Sequence, residues 1–184
     1  METRQRIAKA TAKLHGTVGP ARTTVSAIAD EAGVQRATVY RHFPNERALF
    51  DACTAHFYGL HPRPDLTDWA RIKDPDERLR TALADLYAWY GETEDMLSNT
   101  QRDAAYVPPK ARARFLDYFR SVREVLVRGR AERGRARARA AAAIGHATGF
   151  HTWRSLVREQ KLEDEDAVEL MTRMVNGAGL APRG

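Results

Sequence analysis

Between Gln35 and Phe43 the chain gathers six side chains with hydrogen-bonding reach, Gln35, Arg36, Thr38, Tyr40, Arg41 and His42, around the apolar Val39 and Phe43. A spacing of four puts Val39 and Phe43 on one side of a helix, so the polar groups cover the rest of its surface. That set of groups suits nucleic acid. Arg bonds bidentately to guanine and Gln to adenine, and the methyls of Ala37 or Thr38 meet a thymine methyl. Tyr and His donors suit phosphate oxygens, which hold a protein in place without reading sequence. An ordinary helical hairpin with a polar outer face carries the same pattern, and this stretch alone leaves both readings open.

Other chemistry finds less support. His56 and His61, like His146 and His151, are five apart, whereas two ligands on one helix face need a spacing of about four. Cys53 is the single cysteine, which excludes an internal disulfide and a Cys-based zinc or iron–sulfur site. It falls on an apolar stripe, where a thiol packs rather than reacts. No nucleophile–base arrangement follows from spacing, and the expectation is no catalysis, no metal and no cofactor. The longest apolar run, around Ala140 to Ile144, falls far short of the ~20 residues that span a bilayer. Residues 1–6 have no apolar core behind their charges and do not read as a signal peptide. The expected location is cytoplasmic, with no membrane partner.

The elements that must position these groups are helices. Ile7, Ala10 and Leu14 recur as one face of an amphipathic helix, and Gly16 and Gly19-Pro20 end it. Thr24 is placed to cap a second helix with Val25, Ile28, Ala29 and Ala32 inside. Gly33 supplies the positive φ for a sharp stop, and a third helix runs from about Gln35 to Phe43. Asn45 caps a fourth, whose stripe is Leu49, Phe50, Cys53, Phe57 and Leu60. A helix, a tight turn and a second helix that packs across the first form a helix-turn-helix, whose second helix enters the major groove. Residues 61–75 read as a long connection. Longer helices follow, with Leu79, Leu83, Leu86 and Tyr90 on one, and Phe115, Phe119, Val122 and Leu126 on the next. A further run extends from roughly Arg137 to Lys161, and a last helix presents Leu170, Met171, Met174 and Val175 on one face. Period-2 alternation is absent, so the fold class is all-α.

Charge is distributed unevenly over the 184 residues. Residues 1–50 carry a balance of +4, residues 51–109 of −5, residues 110–139 of +8 and residues 140–184 of −1. A positive N-terminal segment beside a negative one suggests that one end meets a polyanion. Because 25 of the 30 basic residues are Arg, a generally Arg-rich solvated surface explains the balance equally well. The stretch Arg128–Arg139 reads as a solvated helix end and turn, with a second anionic surface as the alternative.

The segment from Thr23 to Phe43, with Arg47, Ala48 and Leu49 behind it, resembles the DNA-binding domain of the TetR family of bacterial transcriptional regulators. The matching residues are Thr24, Ile28, Ala29, Ala32-Gly33-Val34, Thr38-Val39-Tyr40, His42-Phe43 and Leu49. The resemblance covers roughly the first 50 to 60 residues; the remainder agrees only in length and helical content. It implies a helix-turn-helix domain over residues 1–48 and a helical effector-binding and dimerisation domain over 49–184. It also implies that Arg36, Ala37 and Thr38 face bases, that Tyr40 and His42 hold phosphates, and that Thr24 caps the second helix and donates to the backbone. The chain departs from the family pattern at two places. Gln35 stands where many members have Ser or Thr, and Glu46 stands where many have a phosphate-facing Lys, leaving Arg47 as the substitute.

By the same resemblance the last two long helices form a homodimer that reads a palindromic duplex operator. The small residues Ala140 to Ala143, Gly145, Ala147 and Gly149 permit such close packing, although packing inside a monomer would use them too. A small-molecule effector would lie among aromatic and polar side chains, for which Trp89, Tyr106, Phe115, Phe119 and His151 are the candidates. The pair Arg102-Asp103 falls between two expected helices. The function this implies is a sequence-specific repressor released from DNA by its effector. The alternative is a DNA-binding protein without such a switch, controlled by a protein partner or acting architecturally.

Overall fold

The apolar spacings described above become helices in the computed structural model, which describes residues 2–178. Helices α1 (Thr3–Thr17), α2 (Val25–Ala32), α3 (Arg36–His42) and α4 (Glu46–Leu60) follow one another through the N-terminal third. Then come α5 (Leu66–Arg71), α6 (Pro75–Arg102), α7 (Pro109–Val127), α8 (Gly134–Ala147), α9 (Phe150–Trp153) and α10 (Asp164–Ala178). No strand occurs among the described residues, and the fold is all-α.

The chain forms two compact units, residues 1–62 with 93–114, and residues 63–92 with 115–184. Position 48/49, where the sequence reading divides the chain, lies within α4, and all of α4 belongs to the first unit. The core of that unit is Ile7, Ala10, Ile28, Ala29, Ala32, Val39, Phe43 and Leu49, with Leu14, Val25 and Val34 packed against it. Residues from the end of α6 complete it. The Asn99 amide donates to Gly16 O at 2.6 Å, and the Arg102 guanidinium donates to Val18 O at 2.9 Å. The carboxylate of Asp103, which is 8% exposed, accepts from Ala21 N at 3.1 Å and is held by Arg102. Unsatisfied carbonyls at the end of α1 thus receive donors from a distant helix. Gly19 sits beneath this clamp at φ +91, and a Cβ there would fall on the Arg102 guanidinium and the Asp103 carboxylate.

In the second unit Leu79, Leu83, Leu86 and Tyr90 of α6 are fully buried, as their spacing requires. Tyr87 and Tyr90 donate to Ala147 O and Thr148 O, and the Trp153 indole donates to Asp164. Helices α8 and α10 run antiparallel, with Arg139 donating to Ala178 O near one end. Arg130, almost fully buried, is satisfied by Asp76, Glu132 and Asn176.

Four expectations are corrected. The connection over residues 61–75 contains α5, capped by Asp65 through Thr67 N and anchored by Trp69, whose indole donates to Asp85 at 2.7 Å. The run from Arg137 to Lys161 is not one helix. Thr148 bonds back to Ile144 O, and Gly149 opens the ladder. Beyond α9 the backbone then winds into a wide π turn over Arg154–Glu159. Leu170 and Met174 are exposed at 39% and 53% while Met171 and Val175 are buried, so α10 shows its apolar residues on two faces. Leu60 ends the α4 stripe exposed, because the helix stops there.

Candidate DNA-binding surface

The geometry around α3 begins with its caps. Thr24 Oγ1 accepts from Ala27 N at 3.1 Å, which starts α2, and Asn45 Oδ1 accepts from Ala48 N at 2.8 Å, which starts α4. Gly33 takes φ +63, and Val34 N reaches back to Ala29 O at 2.9 Å, closing the turn between α2 and α3. Val39 and Phe43 are 1% and 2% exposed and pin α3 to the core. As a result Gln35, Arg36, Ala37, Tyr40 and Arg41 stand in solvent, with Thr38 and His42 half-buried at the edges. A seven-residue helix with one apolar edge inside and a polar surface outside has the form of a recognition helix.

The candidate Arg47 and its neighbour Glu46 need qualification by their surroundings. Arg47 pairs with Asp51 along α4 at 3.8 Å, and Arg114 reaches the same carboxylate at 3.5 Å. Such exposed pairs contribute little and yield to a competing anion. Glu46 is exposed in the first turn of α4, where its charge favours the helix dipole but opposes a phosphate.

Sequence reasoning missed Arg4 and Arg6. Arg4 donates to His42 O at 2.8 Å, and its guanidinium lies 4.4 Å from the centre of the Phe43 ring. Arg6 donates to Ala32 O and Gly33 O at 2.5 and 3.1 Å. Each lies outside the apolar stripe of α1, and no local pattern marks a side chain whose partner is more than 25 residues away.

The effector candidates are divided between the two units. Trp89 is buried beside Tyr90, Phe115 and Phe119 face each other at 4.9 Å in the same unit, and His151 is exposed next to Phe150. Tyr106 belongs to the first unit and is 67% exposed. A shallow groove of about 270 Å³ between α6 and α10 has Ala84, Ala88 and Val168 for its floor, with Arg80, Asp164 and Glu169 along it. None of the five candidates lines it. No group of acidic, His or Cys side chains suited to a metal is found among the described residues, and no described helix is long and apolar enough to cross a membrane.

A short exposed polar helix behind a tight turn, in an all-α protein, has the form of a helix-turn-helix. Residues 7–53 match the family described as bacterial regulatory proteins, tetR family. Among solved structures, the fold is similar to a Clostridium perfringens protein named for regulation of fatty acid metabolism, with a TM-score of 0.66 at 17% identity, covering 97% of this chain and 100% of the other. It is also similar to a TetR transcription regulator from Haloarcula marismortui (TM-score 0.60, 19% identity, 96% of each chain). A TetR-like transcriptional regulator from a Rhodococcus species gives 0.60 at 20% identity, over 98% of this chain and 97% of that one. No curated protein matches the chain. Over residues 7–53 the chain is thus similar to the helix-turn-helix domain of tetR-family regulators, and the solved structures share its fold.

Proposed function

We propose that the protein is a homodimeric repressor that binds a palindromic duplex operator through α3 and leaves it when a small-molecule effector binds. The observation that carries DNA binding is the placement of Gln35, Arg36, Ala37, Tyr40 and Arg41 in solvent over the buried Val39 and Phe43. Arg36, Ala37 and Thr38 read bases, while Tyr40, His42 and Arg47 hold phosphates, Thr24 adds a backbone contact from the start of α2, and Gln35 and Arg41 flank the reading edge. Residues 1–48 carry this activity. Residues 49–184 carry effector binding and dimerisation.

Dimerisation is supported by the outer face of the α8–α10 pair. Exposed Leu170 and Met174 stand on α10, and the small exposed Ala138, Ala142 and Gly145 on α8 allow a second copy to approach. A two-fold assembly presents two α3 helices to successive major grooves about 34–36 Å apart. An effector that favours a dimer with a different separation lowers DNA affinity by the coupling free energy, typically about 1–3 kcal/mol. The family match over residues 7–53 supports this switch, and Trp89, Tyr106, Phe115, Phe119 and His151 remain its proposed contacts. Function of this kind needs neither cofactor nor catalysis, and its site of action is the cytoplasm.

The test is fluorescence anisotropy against the DNA upstream of the protein's own coding region, with a scrambled duplex as control, at two salt concentrations. Preference for the upstream DNA by about a thousandfold or more is the expected result. Equal and steeply salt-dependent binding to both duplexes would replace the repressor with an architectural protein.

A further inference from the structure

The geometry points to Arg4 and Arg6 as positioning residues for sequence reading: two guanidiniums of α1 that set the pitch of the recognition helix by holding the carbonyl ends of α3 and α2. This rests on the DNA-binding reading of α3.

Little else holds α3. It is seven residues long, and its buried anchors are Val39 and Phe43, one turn apart on a single edge. A single edge fixes where a short helix lies but leaves it free to rock about that edge. Its N-terminal residue Gln35 makes no side-chain cap, and its last carbonyls have no partner within the helix. Arg4 supplies one, donating to His42 O at 2.8 Å while its planar face lies over the Phe43 ring. One guanidinium therefore grips both the backbone end and the apolar anchor of α3. Cation–π contact and a charge-assisted bond to a carbonyl at a negative helix end reinforce each other.

Arg6, two residues on, does the same for α2. It donates to Ala32 O and to Gly33 O, the carbonyls on either side of the left-handed residue that joins the two helices. Arg4 and Arg6 thus fasten both ends of the Gly33–His42 segment to one rigid helix, whose own Ile7 and Ala10 lie in the same core. Bidentate base contacts depend on placement to fractions of an ångström, whereas phosphate contacts tolerate more. Loosening α3 therefore weakens discrimination before it weakens general affinity.

The experiment selects a preferred duplex from a random pool with the intact protein, then compares that duplex with a scrambled one for Arg4→Ala, Arg4→Lys and Arg6→Ala at several salt concentrations. Expected for Arg4→Ala is a loss of discrimination of about tenfold or more, the value of one well-made base contact, with the salt slope unchanged. Arg4→Lys keeps the charge but not the planar stack and does not restore discrimination. In free protein, hydrogen exchange at the α3 amides, Phe43 N included, quickens in Arg4→Ala while α1 amides stay protected; this readout needs no DNA.

If discrimination is kept, the salt slope falls by about 1 and Arg4→Lys restores binding, Arg4 is a phosphate contact and the inference is overturned. Unchanged binding and unchanged exchange overturn it as well. If the intact protein enriches no sequence from the pool, sequence-specific reading itself fails, an outcome separate from either result with the variants.

Discussion

His15 is enclosed in the first unit by the Phe50 ring, 5.3 Å away, and the Cys53 thiol, whose sulfur lies 3.5 Å from Nδ1. Burial pulls its pKa down to about 4, against a smaller upward pull from Asp103. The folded protein therefore keeps His15 neutral where the unfolded chain, titrating near 6.5, takes up a proton. Stability from this site is complete above pH 6.5 and declines as the pH falls toward 4, by about 3 kcal/mol at most. Urea midpoints measured at pH 7.5 and 5 should show this decline, and His15→Gln should remove it. Burial also pushes the Cys53 thiol up to about 12, so a thiol reagent should modify Cys53 only after denaturation. Cys53 is legible from its place on an apolar stripe, whereas the interior position of His15 is not, because the groups that enclose it come from α4.

Helices α2 and α3 are the elements most fully legible in the sequence. Thr24, Gly33 and Asn45 are placed where caps and a left-handed stop must be, and each does that work in the structure. Thr24→Ala should cost about 1 kcal/mol in chemical denaturation. Elements read less well where periodicity was too short or composition too permissive. The six residues of α5 cannot display a repeat, and the alanines of α8 are compatible with helix well beyond Ala147. The break after Ala147 arises from Thr148 and Gly149, not from any loss of apolar spacing. Aromatic spacing is permissive in the same way: Tyr87, Tyr90, Phe150 and Trp153 recur at helical intervals and fill a core. The same spacing would serve a ligand wall. At this scale the clamp at the end of α6 is also testable. Gly19→Ala forces a Cβ into Arg102 and Asp103 at a φ that L residues avoid, and should cost about 1–3 kcal/mol. Asp103→Ala should speed hydrogen exchange over residues 18–23, with α2 itself remaining protected.

For the whole molecule, the exposed Leu170 and Met174 make the oligomeric state the decisive variable. Under the proposed dimerisation, Met174→Glu should shift sedimentation from dimer to monomer without melting the helices, and specific DNA affinity should fall because half-sites would no longer be read together. Chain order and spatial grouping also diverge at this scale. The first unit takes residues 1–62 and then recruits 93–114, so the donor for Gly16 O, the acceptor for Ala21 N and a second donor for Val18 O beside Arg22 arrive only with the later segment. A fragment ending near residue 62 would keep every side chain proposed to read bases and lack groups that complete its own fold. In evolutionary terms the module proposed to read DNA is not a detachable cassette. On that reading recognition would be retuned by substitution within α3, but transplanting the module to another protein would require carrying the end of α6 along with it.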